Sequence, residues 1–212
     1  MPSVLFVCAA NMCRSPLAAA KFRIGIKPQS DIDFLANSAG THAISGQEWC
    51  PVSVVAGASE GSTRQFAENI KEIDLLSYDL ILTSGTAQRS AVLQNQLSLR
   101  SRLYTIREAA LQIEWLTKPG GVLDVASHLE SSLEFDTSAI PTLPNLKPGR
   151  WNWLVTEMNA WRGFAKPIVN AAETFNIMDP HESKKEIHVE TFSQIDQAIT
   201  SITLGISKVL YR

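Results

Sequence analysis

Ser3–Val7 reads Ser-Val-Leu-Phe-Val, a short β-branched run with no polar side to turn toward water. It predicts a strand covered on both faces, and such a strand needs packed layers above and below it. After a turn, Ser15-Pro16 opens an alanine-rich segment that ends near Lys27-Pro28. Serine followed by proline suits a helix start, a capping hydroxyl and then a residue with no N–H to leave unpaired. The chain therefore begins strand, loop, helix.

The alternation continues. Asp33–Ala36 is expected as a second strand leading into Ser38-Ala39-Gly40-Thr41, with helices around Pro51–Ala58 and Arg64–Leu75. Tyr78–Thr83 is a third strand, Ala87–Gln96 a helix, Leu103–Thr105 a short fourth strand, and a helix follows through about Leu116. Strands alternating with helices imply an α/β fold: a three-layer, doubly wound, four-stranded parallel sheet with helices on both faces. Ligands then sit at the C-terminal ends of the strands.

From Thr117 to about Pro148 the pattern fails, punctuated by Pro119-Gly120-Gly121, Pro141, Pro144 and Pro148-Gly149. So long an irregular stretch is expected to be a lid or a mobile insertion. Trp151, Leu154, Val155, Met158 and Trp161 then fall at helical spacing, more simply a face covering the core than an aromatic substrate surface. Ile177-Met178-Asp179-Pro180 leads into a closing helix whose buried stripe is Ile195, Ile199, Ile202, Ile206 and Leu210. The expectation is one domain over residues 1–212 carrying an insertion, in its C-terminal half, at about 117–165.

Composition narrows the function. Hydrophobic residues make up 45% and charged residues 19% of 212, and the net charge is −2, so no basic footprint for nucleic acid is present. Three cysteines cannot all pair, and a chain of this length does not need disulfide staples, which favours a reducing compartment. Val4–Ala10 lacks a preceding basic residue and is followed by Arg14, unlike a signal peptide. No run approaches the roughly 20 apolar residues that span a bilayer. A cytoplasmic location without membrane attachment is expected.

The first loop carries the chemistry. Cys8-Ala9-Ala10-Asn11-Met12-Cys13-Arg14-Ser15 lies between the buried strand and the helix start. A loop curling onto a helix N-terminus aims several backbone N–H groups at one point and cradles an anion. Arg14 adds a planar fork that matches two phosphate oxygens. Cys8 lies at the base of that cradle, where the same positive field favours the nucleophilic thiolate. A thiolate beneath a phosphate held by its equatorial oxygens is placed for in-line attack. Asn11 tolerates the left-handed conformation the loop needs, and Ser15 can cap the helix and donate its hydroxyl to the thiolate. A nucleotide-binding loop would need a Gly-Lys-Ser/Thr ending that is absent here. Zinc binding by Cys8 and Cys13 would need further ligands; Cys50 is the only other cysteine, and the four histidines do not cluster along the chain, so no metal is expected. Asp179, held by Pro180 before the last helix, is the candidate proton donor.

Taken together, Val4–Pro16, Ser38-Ala39-Gly40-Thr41, Arg64-Gln65, Tyr78–Thr83 and Asp179-Pro180 resemble, in order, the low-molecular-weight protein-tyrosine phosphatase family. The resemblance covers roughly residues 1–112 and 177–210. It implies Cys8 as nucleophile, Arg14 as phosphate clamp, and Asp179 as general acid and then base. It also implies a phosphotyrosine protein as substrate, no cofactor, and phosphate or sulfate as ions able to fill residues 9–15. Asn11, Ser15 and Ser38 match residues that shape the loop, and Cys13 matches a neighbour that forms a reversible disulfide with Cys8.

This chain also departs from the family pattern. Ala10 stands where glycine is usual, and a histidine that supports the loop asparagine falls on Gly61. The aromatic wall falls on Ile44, the tyrosine after Asp-Pro on His181, and an acid after the third strand on Gly85. Other readings are an arsenate reductase on the same fold, which would need more cysteines to pass a disulfide onward, and a phosphate-binding module without turnover. A phosphoarginine specificity ranks below phosphotyrosine, because that subgroup carries threonine where Met12 stands.

Overall fold

The computed structural model describes residues 1–26, 31–59, 65–128, 142–165, 175–181 and 183–212. Its sheet has four parallel strands, β1 (Ser3–Cys8), β2 (Leu35–Gly40), β3 (Leu80–Thr83) and β4 (Leu103–Thr105), in the order β2-β1-β3-β4. The order reverses between β1 and β3, so a crevice opens at their C-terminal ends, where a doubly wound sheet binds its ligand. All six residues of β1 are buried. Val4 and Phe6 join the core on one face, while Leu5 and Val7 join a second core on the other.

The first core is built with helices α1 (Arg14–Ile26), α4 (Ile106–Thr117) and the closing helix α7 (Lys185–Leu210), whose Ile195, Ile199, Ile202, Ile206 and Leu210 are all buried as their spacing predicts. The second core gathers Val92 of α3 (Thr86–Asn95) and Leu99. A short helix α2 (Pro51–Val55) follows Cys50. Among the described residues, no helix is long and apolar enough to cross a membrane.

Three expectations are corrected. The second strand lies at Leu35–Gly40 rather than Asp33–Ala36, because pairing Ser3–Cys8 with Leu35–Gly40 outweighs the weak strand preference of Asn37, Ser38 and Gly40. The described part of the helix expected at Arg64–Leu75 is instead extended chain with a 3-10 turn at Ile70–Glu72. Its backbone bonds outward: Gly40 N–H donates to Glu68 O (2.9 Å) and Ala67 N–H to Gln47 O (2.7 Å).

The stretch expected to be irregular contains α5 (Val122–His128), and α6 (Lys147–Ala160) starts earlier than its aromatic stripe suggests. Pro148, read as a breaker, sits in the first turn of α6, where proline costs no hydrogen bond. Leu123, Ala126, Trp151, Leu154 and Met158 join the same core as β1 and α1. Residues 129–141 lie outside the described residues.

Gly205 of α7 packs closely on α4, since an added Cβ would lie 2.2 Å from Ile113 Cγ2. Alanine is the better helix former by about 1 kcal/mol. Overpacking of about 1–3 kcal/mol should outweigh that gain, so Gly205→Ala is expected to destabilise the protein by a net of up to about 2 kcal/mol in urea unfolding. A gain in stability would mean that α4 and α7 separate without cost.

Candidate active site

The loop after β1 reverses the chain from the end of a buried strand to the first turn of α1. Asn11 makes the reversal: its φ of 54° is the only positive one among the described non-glycine residues. Ala10, where glycine is usual, needs no positive φ, so its methyl group is compatible with the loop. Buried Asn11 is fixed on three sides. Its amide donates to the Ser15 and Ser38 hydroxyls, both at 2.9 Å, and its carbonyl accepts Glu68 N–H at 2.9 Å. A main-chain donor thus serves the asparagine, and Gly61 and Arg64 lie outside the described residues.

Cys8 closes the base. Its Sγ accepts the Asn11 backbone N–H at 3.2 Å and lies 3.0 Å from the Ser15 hydroxyl. That hydroxyl is also 3.1 Å from Ala39 O and carries one proton, so it serves one acceptor at a time. Ser15 therefore acts on Cys8 from inside α1, which begins at Arg14, rather than at the cap position expected for it. Ala9, Ala10 and Met12 are partly exposed at the loop, whereas Cys13 and Arg14 are buried.

The chain after β2 clamps the loop from the side. Thr41 N–H donates to Cys8 O (3.0 Å), His42 N–H to Ala9 O (2.9 Å) and Cys50 N–H to Met12 O (3.0 Å). Gly40 is required for this approach, since a Cβ there would lie 2.5 Å from Ala9 O and 2.8 Å from Asn11 N.

Asp179 reaches the loop from far along the chain. Its carboxylate pairs with Arg14 Nη2, while Arg14 Nη1 donates to Ile177 O at 3.2 Å. The Asp179 side chain is 49% exposed and that of Arg14 only 6%. Arg14 Nε is buried with no partner among the described residues. Ile177 N–H ties the acid's segment to Ser84 O at the end of β3 (2.8 Å), and Pro180 is buried beneath it. Asn176 Oδ1 accepts the Thr86 amide (2.8 Å) and hydroxyl (3.2 Å) at the start of α3. A Cβ at Gly85 would stand 2.6 Å from that Oδ1, which accounts for glycine where an acid is usual.

The rim is open at Ile44, the position where the family places an aromatic wall. Ile44 is 71% exposed, and exposed His181 donates its N–H to Asp179 Oδ1 at 3.2 Å. Trp151 and Trp161 are not substitutes. Trp151 packs edge-on to Phe34 and donates to Asp79 Oδ2 (3.1 Å), which also holds Ser3 N–H (2.8 Å), at the strands' opposite end. Trp161 stacks with Trp115 and Phe164, and its indole N–H binds Glu157, whose carboxyl burial pushes up despite that bond.

Sequence spacing hid one grouping: buried Cys50 and His188 lie beside Cys13. Burial pushes the Cys13 thiol far up, reinforced by Cys50, by Cys8 and by Asp179.

The fold is a doubly wound α/β sheet whose switch-point loop carries a cysteine, a buried arginine and the start of a helix. The chain belongs to the low molecular weight phosphotyrosine protein phosphatase family, whose sequence model matches residues 3–114. Among solved structures it is similar to the low molecular weight protein tyrosine phosphatase of T. tengcongensis (18% identity, TM-score 0.58, covering 95% of this chain and 97% of that one). It is also similar to a YwlE mutant from Bacillus subtilis (14%, 0.57, 96% and 97%) and to the YwlE arginine phosphatase from Geobacillus stearothermophilus (13%, 0.55, 96% and 92%). No curated protein matches the chain.

Asn11 separates two contributions experimentally. Asn11→Ala and Asn11→Gly lose the same side-chain bonds, each worth about 1 kcal/mol, but only alanine resists the left-handed backbone. Asn11→Ala is therefore expected to be less stable than Asn11→Gly by about 1 kcal/mol in chemical denaturation. Equal stabilities would mean that the turn relaxes to negative φ.

Proposed function

We propose that the protein hydrolyses phosphate monoesters of protein tyrosine through a phosphocysteine at Cys8. The observation that carries this reading is the meeting of Asp179 with Arg14, 165 residues apart, at the loop that holds Cys8. Family membership supports a cysteine-based phosphatase. The loop's backbone, the α1 N-terminus and Arg14, with its unpartnered buried Nε, suit a dianionic phosphate.

Cys8 Sγ attacks phosphorus as the bond to the tyrosyl oxygen breaks, and Asp179 delivers a proton to that oxygen. Water then attacks the phosphocysteine, Asp179 takes its proton, phosphate leaves and the Cys8 thiolate returns. The Ser15 hydroxyl and Asn11 backbone N–H stabilise the thiolate as attacking and as leaving group. Phosphotyrosine is favoured over phosphoarginine because Met12 stands where that subgroup carries threonine. The exposed Ile44 rim suits a broad range of tyrosyl peptides rather than a tightly gripped ring. A reducing, cytoplasmic setting fits three free cysteines. Under peroxide, the family resemblance points to a Cys8–Cys13 disulfide that thiol reductant reverses, and peptide mapping of the oxidised protein identifies the pair.

The direct test is a panel of aryl phosphate, phosphotyrosine peptide, phosphoserine peptide, phosphoarginine, and arsenate with thioredoxin. Turnover of the first two, lost in Cys8→Ser with oxyanion binding retained, is the expected result. Substantial phosphatase activity in Cys8→Ser would remove the phosphocysteine. Asp179→Ala should slow phosphotyrosine cleavage by about 10²–10⁴-fold and slow esters of more acidic phenols less, since their oxygens need no proton. A pre-steady-state burst followed across leaving groups reads this, and equal slopes in the two proteins would show that Asp179 donates none. Arg14→Lys should cost at least tenfold, because a point charge cannot hold both phosphate oxygens and the Ile177 carbonyl.

A further inference from the structure

Cys50 and His188 take no part in the chemistry above, yet both are buried against Cys13. Cys13 Sγ, Cys50 Sγ and a ring nitrogen of His188 lie within 4.8 Å of one another, and Cys50 Sγ is 3.8 Å from His188 Nε2. Relative exposures are 3%, 7% and 5%. The three come from three helix starts: Cys13 just before α1, Cys50 just before α2 and His188 in the first turn of α7.

The support around the group resembles that of a ligand set. His188 Nδ1 lies 3.3 Å from Lys184 O. A carbonyl only accepts, so Nδ1 carries a proton there, and in the neutral ring the lone pair lies on Nε2, which faces Cys50 Sγ, the orientation metal-binding histidines use. The ring is held edge-on by Phe192 at 5.8 Å. Cys50 is fixed by its N–H bond to Met12 O, and the Ser53 hydroxyl contacts Met12 O (3.0 Å) and Cys50 O (2.9 Å). Bond lengths of about 2.3 Å to sulfur and 2.0 Å to nitrogen place a tetrahedral sulfur and nitrogen roughly 3.5 Å apart and two sulfurs roughly 3.8 Å apart, so the Cys50–His188 separation of 3.8 Å needs to shorten only slightly on binding.

We propose that Cys13, Cys50 and His188 form a binding site for a thiophilic divalent cation of the zinc type, adjoining the phosphate loop. Three protein ligands leave one tetrahedral position for water. Binding converts two thiols to thiolates, so each cation taken up releases two protons, and the +2 charge is balanced by two sulfurs in a buried place. Cys8 lies outside the group. A cation on Cys13 anchors the loop's end to α2 and α7 and withholds that sulfur from a disulfide with Cys8.

The test titrates cobalt(II), as the spectroscopic probe, into the full-length, reduced, chelator-treated protein without oxygen. The expected result is thiolate-to-cobalt charge transfer and tetrahedral d–d bands that saturate at one equivalent. Two protons should be released per cobalt, and zinc(II) should erase the bands. Cys8→Ser keeps this signature; Cys50→Ser loses half the charge-transfer intensity, and both it and His188→Gln weaken binding at least 10²-fold. Bands that persist in Cys50→Ser and vanish in Cys8→Ser overturn the site by moving the cation to Cys8. An octahedral cobalt spectrum, or no saturable binding, overturns it outright, and this wild-type result stands even if His188→Gln fails to fold. Turnover assayed on the same proteins keeps the readings apart, since Cys8→Ser removes hydrolysis without touching the cobalt bands.

Discussion

The arrangement of this protein depends on one buried side chain, Asn11, holding the chain in a left-handed turn between β1 and α1. Its bonds to Ser15, Ser38 and the Glu68 amide join the helix, the neighbouring strand and the segment before β3. With those fixed, the Cys8 sulfur faces the Ser15 hydroxyl and the Asn11 backbone N–H. The arginine that follows the loop is carried into the crevice between β1 and β3. Such a reversal is costly for most residues, and it persists because the surroundings over-determine it. Gly40 contributes by absence of a side chain, letting β2 come within hydrogen-bonding distance of the loop.

A second dependence runs from the far end of the chain. Ile177 bonds both to the end of β3, through Ser84, and to Arg14, so the segment carrying Asp179 is positioned by the sheet as well as by the arginine. Asn176 reinforces this at the start of α3, and Gly85 leaves the room for it. Asp179 is thus positioned by main-chain contacts of its neighbours, while its own carboxylate stays half-exposed.

The segment between α4 and Asp179 departs furthest from its local sequence pattern. Its prolines and glycines suggested an irregular lid, yet Leu123, Ala126, Trp151 and Met158 are core residues, and Trp151 pins the strands' N-terminal end through Asp79. Proline in the first turn of a helix looks like a break when read along the chain, because its missing N–H matters only once a partner is required. The expected helix before β3 failed for a complementary reason. Its backbone groups bond to Gly40, Gln47 and Asn11, so they are not available to one another.

Local sequence determined much of this protein: the doubly buried β1, the loop from Cys8 to Arg14 that runs onto the start of α1, the left-handed Asn11, and the stripe of α7. Each is set by residue type over a few neighbouring positions, where side-chain pattern and backbone preference act directly. Tertiary structure decided the rest. It extended β2 through Ser38-Ala39-Gly40 by pairing, turned Trp151 and Trp161 away from the site, and left the Ile44 rim open. It also brought His188 to Cys50 across 138 residues. None of these carries a local signature, since contacts between distant segments depend on how helices pack across a sheet, and that packing is fixed only when the whole core closes.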